Sequence, residues 1–324
     1  MSPGVGAAVD AWQPSDIPDQ AGRTVVVTGP SLGGLGHHTA LELARRGARV
    51  VLAGRTPRKL DETAVAITAE VPAADVVPLV VDLSELASVR SAGAAAKALG
   101  PIDVLVNNAG VMGVSGPRTF DGFEMTMATN HFGPFLLTGL LMPQLAEAGA
   151  GSGAAHGGGR VVTVSSQFHR MARRPPLEDP RDTSRRSDPW GAYARSKLAN
   201  LLFTLELDRR CRAAEVPVKA LAAHPGFAGT HLAANGQYGR SSGGIASILD
   251  ATIRAVSQSA AAGAQPTLMA TTADLPGGTY CGPSGPAEMA GRPQVTLTSK
   301  RARDPEAARR LWEISEAATG IRYP

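Results

Sequence analysis

The sequence predicts an α/β fold: a single domain built on a doubly wound parallel sheet with helices on both faces. Three observations carry this. From Thr24 onward, strand-like and helix-like segments alternate four times in about 85 residues, the pattern of a parallel sheet with crossover helices. A glycine-rich turn, TGPSLGGLG at 28–36, joins the first strand to the first helix, where such sheets hold phosphate groups. The chain has 324 residues, 43% of them hydrophobic and 19% charged, which suits one large buried core.

Residues 1–22 are polar, small and proline-containing, and read as a loose leader before a domain at 23–324. Thr24 to Val27 is a β-branched run and the first strand. Residues 39–47 have a helical period and end on Gly47. Val50 to Ala53 is the second strand, and 57–71 is helix-like. Val76 to Val81 is a third apolar run with Pro78 inside it, which counts against a central strand. Residues 84–99 read as helix and Val104 to Val106 as the fourth strand. Beyond these, 130–148 is a long apolar helix and 149–159 a flexible glycine-rich loop. Val161 to Val164 is the fifth strand, 190–213 a helix, and Val218 to Ala223 the sixth strand. The segment 231–265 is rich in small residues and has no single period. Residues 305–319 form a closing amphipathic helix.

Composition excludes several classes. Aromatic residues are only 4%, few for a protein that stacks nucleic-acid bases. Lys and Arg total 32 and Asp and Glu 28, a net charge of +4, too slight to imply a nucleic-acid partner. The excess is local: residues 170–186 hold six Arg against three acids, and 300–324 hold six basic residues against four acidic. The first run reads as a solvated loop, or as one that steers an anionic ligand. Cys211 and Cys281 make neither a disulfide framework nor a cysteine zinc site, and no grouping has metal-ligand spacing. No apolar run reaches the roughly 18 residues of a membrane helix, and the N-terminus lacks a signal-peptide pattern. The expectation is a cytoplasmic protein with no metal, nucleic-acid or membrane partner.

The turn at 28–36 has the strand–turn–helix context that a dinucleotide-binding reading requires; the plainer reading is a glycine-rich connection. The second strand ends Ala53-Gly54-Arg55. A carboxylate there would hold the ribose hydroxyls of NAD, but an arginine stands in line instead and suits the 2′-phosphate of NADP. NADP(H) is therefore expected over NAD(H), with Arg55 the main determinant and Arg58 or Lys59 assisting. Tyr193 and Lys197 lie four apart in a helical stretch, on one face. An ammonium beside a phenol lowers the phenol's pKa, and such a tyrosine can exchange a proton with an alcohol oxygen. Ser165 and Ser166 end the fifth strand, where a hydroxyl can steady a substrate oxygen.

Taken together, these motifs resemble the short-chain dehydrogenase/reductase family, in its retinol-dehydrogenase-like and WW-oxidoreductase-like branch. The resemblance runs from about Asp16 to Tyr323. It rests on the TG…GLG turn, Asp82-Leu83, Asn107-Asn108-Ala109-Gly110, Asn130-His131-Phe132-Gly133, Val164-Ser165-Ser166, Tyr193-x-x-x-Lys197, His224-Pro225-Gly226 and Leu311-Trp312. It implies a Rossmann-type sheet of about seven parallel strands. It also implies hydride transfer between NADP(H) and a carbonyl or alcohol group, the alternative being a catalytically silent NADP-binding sensor on the same fold. By resemblance, Tyr193 is the general acid/base, Lys197 tunes it and holds the nicotinamide ribose, Ser166 holds the substrate oxygen, and Asn130 helps hold a relay water. Gly29, Ser31, Gly34, Leu35 and Gly36 would hold the diphosphate, and Asp82 and Leu83 the adenine. Asn107, Asn108, Ala109 and Gly110 would line the cleft, and Pro225, Gly226 and Thr230 the nicotinamide end. The segment at about 231–265 corresponds to a substrate lid; its aliphatic residues suggest an apolar small molecule, with His169, Phe227 and Tyr238 as candidate lining. A homo-oligomer, dimer or tetramer, is the family's habit.

One departure stands out. The family turn has three residues between TG and GxG; here four, Pro30-Ser31-Leu32-Gly33, separate Gly29 from Gly34. Pro30 also lacks an N–H donor. His37 and His38, which follow the turn, read as surface or packing residues rather than cofactor contacts, and His224 as structural.

Overall fold

The structure, a computed structural model, describes residues 12–114, 118–151, 158–182, 188–227 and 258–324. Short runs of Val, Leu and Ala form its strands: Thr24–Thr28 (β1), Arg49–Gly54 (β2), Val76–Val80 (β3), Val104–Asn107 (β4), Gly159–Val164 (β5), Val218–Ala223 (β6), Tyr280–Pro283 (β7) and Pro293–Thr296 (β8). They make one sheet in the order β3-β2-β1-β4-β5-β6-β7-β8. The first seven are parallel and β8 pairs antiparallel with β7, one strand beyond the expected seven. Pro78 sits in β3, the edge strand, where a missing N–H breaks no ladder. The chain reverses direction across the sheet between β1 and β4, so a crevice opens at their carboxyl ends.

Helices cover both faces. On one lie Leu86–Ala96 (α3), Gly133–Gly151 (α4), Pro189–Ala213 (α5) and Pro305–Thr319 (α7), with Val26, Val51, Leu105, Phe135, Phe203 and Trp312 in their core. On the other lie Leu35–Arg45 (α1), Pro57–Glu70 (α2) and Ala260–Thr272 (α6), packed around Val25, Val50, Leu52, Leu43 and Leu268. A continuous apolar run serves a strand that is buried on both faces, and β1 and β4 are wholly buried. No described helix is long and apolar enough to cross a membrane.

Four expectations change. The second half of the leader is not loose: Trp12 and Ile17 are buried in the core beneath α1, and Pro14–Asp16 forms a 3-10 turn. The end of the expected lid, residues 260–265, is the first part of the buried helix α6. Helix 130–148 starts at Gly133 and is preceded by a π turn at Ala128–Phe132. Helix α1 starts at Leu35, four residues ahead of its apolar period.

Candidate active site

The carboxyl ends of β1, β4, β5 and β6 bring the expected residues to one crevice. The Gly29 N–H donates to Ala53 O at 2.8 Å, which sets the turn beside the end of β2. Asn108 staples it from below, its Nδ2 donating to Thr28 O and Gly29 O at 2.7 and 3.1 Å. The Thr28 hydroxyl accepts the N–H groups of Asn108 and Ala109, both at 3.0 Å. At two of its glycines the turn has no room for a side chain. Gly29 has φ +65°, and a Cβ on it would lie 2.9 Å from Ala109 Cα; a Cβ on Gly36 would lie 2.5 Å from Asn108 Nδ2. The result is a turn of backbone at a helix start, with no side chain at Gly29, Gly33, Gly34 or Gly36, which fits a nucleotide diphosphate. Arg55 is exposed just beyond β2 and has no ion-pair partner among the described residues. Arg58 is held by Glu62. The Asp82 carboxylate accepts from both the N–H and the hydroxyl of Ser84, and Leu83 lies buried against Gly133.

The polar residues of the crevice come from separate elements. Ser165 and Ser166 part company: the Ser165 hydroxyl is buried on Lys197 O at 2.8 Å, whereas Ser166 is half-buried, with its Oγ accepting from Phe168 N at 3.3 Å, and acts on the Tyr193 hydroxyl closely enough to lower its pKa. Lys197 lies one turn along α5 from Tyr193, its Nζ 5.6 Å from the tyrosine ring centre. Nζ donates to Val164 O at 3.0 Å, and a Cβ on Gly110 would lie 3.4 Å from both Nζ and Asn130 Oδ1. The π turn swings Asn130 inward. Its Oδ1 accepts from Val111 N at 2.8 Å, and its Nδ2 reaches Val111 O at 3.0 Å and Ser196 Oγ at 2.9 Å. That amide ties the loop after β4 to α5. Asn107 is buried on Thr138, with its Oδ1 unpartnered among the described residues.

Electrostatics correct one expectation. Burial raises the Tyr193 hydroxyl to about 12 against the lowering by neighbouring Ser166, so the lysine does not bring it toward neutrality. Burial is also the cause that lowers Lys197, to about 8. With Nζ bonded to a backbone carbonyl and above the ring rather than the oxygen, desolvation outweighs attraction.

His169 is not lining. It is fully buried, with Nδ1 2.7 Å from Ser166 O and Nε2 accepting from Ser299 N at 3.2 Å, and burial holds its pKa near 4. His224 is structural, as expected: Nδ1 accepts from Gly226 N at 3.2 Å, and Nε2 lies 2.8 Å from Glu288 Oε2. Pro225 O accepts from Gln258 Nε2 at 2.6 Å, and Phe227 N donates to Met289 O at 2.7 Å. Thr230 and Tyr238, and most of the expected lid, lie outside the described residues. Of the arginine-rich loop, Arg170 bonds Gln167 Oε1 and Leu297 O, Arg174 pairs with Glu178 at 3.3 Å, and Arg181 lies over Phe123. The contacts of Arg170 and Arg181 tie the described part of this loop to the domain. Sequence reasoning missed Phe168, whose ring meets Tyr193 edge-on at 5.6 Å; a lone aromatic two residues past Ser166 carries no motif.

Comparisons with known proteins agree with the fold. A family model described as short chain dehydrogenase matches residues 23–175. Retinol dehydrogenase 13 of Homo sapiens is 37% identical over 316 residues, covering 94% of this chain and 86% of that one. Polyprenol dehydrogenase of Mus musculus is 42% identical over 224 residues, 68% of this chain and 64% of that one. A crystal structure of an uncharacterized protein from Mycobacterium paratuberculosis is 43% identical with a TM-score of 0.76, covering 97% of this chain and 99% of that one. The chain belongs to the short-chain dehydrogenase/reductase family of oxidoreductases, in its retinol-dehydrogenase-like branch.

Proposed function

We propose that the protein transfers a hydride between NADP(H) and a carbonyl or alcohol carbon of an apolar small molecule. The observation that carries this is the convergence of Ser166, Tyr193, Lys197 and Asn130 beside a glycine-rich turn at a helix start. The nicotinamide supplies the hydride when bound. Tyr193 exchanges the proton with the substrate oxygen, and its high pKa keeps it protonated at neutral pH, ready to donate in the reductive direction. The Ser166 hydroxyl holds that oxygen as charge develops. Lys197 holds the nicotinamide ribose, and Asn130 keeps the loop after β4 in register with α5.

The diphosphate falls to Gly29, Ser31, Gly34, Leu35 and Gly36, the adenine to Asp82 and Leu83, and the cleft wall to Ala109 and Gly110. Pro225 and Gly226 face the nicotinamide end, and Phe227 starts the substrate side. Relatives named for retinol and polyprenol support an alcohol or carbonyl substrate. The aliphatic residues Ile245, Ile248, Leu249 and Ile253 support an apolar one. The reading includes a cytoplasmic homo-oligomer; two buried free cysteines suit a reducing compartment.

NADP preference rests on Arg55. Arg55→Ala is expected to raise the KM for NADP about 10- to 100-fold, the worth of a charge-assisted bond, and to leave NAD nearly unchanged. An unchanged ratio of the two constants contradicts the assignment. Lys197 supplies a pH test. A protonated Nζ serves the ribose, so kcat/KM for NADPH is expected to be flat below about pH 8 and to fall above it. Lys197→Arg should move that break upward; a profile flat to pH ~10 counts against the role.

A further inference from the structure

The turn at 28–36 carries one residue more than the family pattern, and its geometry shows what holds the extra residue. Gly34 N donates to Ser31 O at 2.8 Å, closing a tight turn over Leu32 and Gly33. Gly33 has φ +73°, the left-handed region that glycine tolerates. Its N–H donates to a side chain: Nδ1 of His37, at 3.2 Å, from the first turn of α1. His37 is only 6% exposed, and its Nε2 is buried with no partner among the described residues. Burying an imidazole with one nitrogen unmatched is costly, so the contact at Nδ1 has to offset it. To accept there, the ring must be neutral with its proton on Nε2. Desolvation and the neighbouring His38 and Arg45 lower the His37 pKa against the opposing pull of Glu70, and so favour that state. On the other side of the helix start, Gly36 is pinned by its close approach to Asn108 Nδ2. His37 and Asn108 thus grip the start of α1 from opposite ends of the enlarged turn.

We propose that His37 is a positioning residue for nucleotide binding: its Nδ1 props the extra turn residue so that the start of α1 stays available to the diphosphate of a dinucleotide. This rests on the NADP(H) reading above. The prop acts on binding and leaves the hydride step alone. Asparagine offers Oδ1 at nearly the position of histidine Nδ1, whereas leucine fills the volume and accepts nothing.

The test measures the Kd of NADPH by titration, and kcat at saturating NADPH, for wild type, His37→Asn and His37→Leu, each with and without deletion of Gly33. Expected is a Kd about tenfold higher for His37→Leu with kcat within about twofold, and a His37→Asn value within about threefold of wild type. In the Gly33-deleted chain, which has the family spacing, His37→Leu should change Kd by less than about twofold, because the propped residue is gone. If that deletion fails to fold, the asparagine–leucine contrast decides alone. Equal affinity in wild type and His37→Leu overturns the proposal, as does an equal loss in both variants. A wild type that binds no nicotinamide nucleotide overturns the cofactor reading itself, which is a distinguishable result.

Discussion

Tyr193→Phe is expected to lower turnover by about 10²- to 10⁴-fold, the usual worth of a positioned acid/base, with the NADPH Kd and melting temperature nearly unchanged. Phenylalanine keeps the ring that meets Phe168 at 5.6 Å and lies under Lys197 Nζ. What goes is one hydroxyl, the group that Ser166 influences. Tyr193 is only 6% exposed, so no water stands ready in bulk to replace the lost proton donor. The loss should therefore fall on kcat and kcat/KM together, as for an interaction made in the transition state. Full turnover by this variant would remove Tyr193 from the mechanism.

Trp312→Ala is expected to cost about 3–5 kcal/mol of stability, a drop of roughly 10 °C in Tm for a chain of this size. Trp312 is 1% exposed and is the hub of an aromatic cluster. It packs on Phe135 at 5.0 Å, Phe203 at 5.9 Å and Tyr323 at 4.8 Å, with the Arg210 guanidinium 4.5 Å above its ring. Its Nε1 donates to Glu316 at 2.9 Å. The same helix, α7, holds the π turn: Ser315 Oγ lies 2.8 Å from His131 Nε2, next to Asn130. Kinetic assays below the melting point should thus show a reduced kcat as well. Trp312→Phe keeps a ring in the cluster and should cost far less. A Tm within about 2 °C of wild type for Trp312→Ala would contradict the hub role.

The first six strands and the helices between them were legible because their apolar periods are strong and their glycine stops conventional. The family motifs were legible too, and the structure brings most of them to one crevice. What escaped the sequence has physical causes. β7 holds Gly282 and Pro283 in four residues and β8 starts on Pro293, so neither has strand composition. α6 packs Gly263, Ala264, Pro266 and Leu268 all at once against α1 and the sheet, and a helix buried on several sides shows no periodic stripe. The π turn at Ala128–Phe132 leaves no mark in composition, yet it aims Asn130. Trp12 was hidden by its polar neighbours, and only the fold reveals that it is core. The pKa expectation for Tyr193 failed because spacing shows who is near, not who is desolvated.

The central claim is that this crevice moves a hydride from nicotinamide to a carbonyl carbon. It is tested most directly by incubating the protein with NADPH carrying deuterium at the nicotinamide C4 and a panel of apolar aldehydes and ketones. The account predicts alcohol product with deuterium on the former carbonyl carbon, formed by wild type and nearly absent with Tyr193→Phe. Tight NADPH binding with no labelled alcohol from any member of the panel, nor oxidation of the matching alcohols with NADP, would contradict it and make the protein a silent nucleotide sensor.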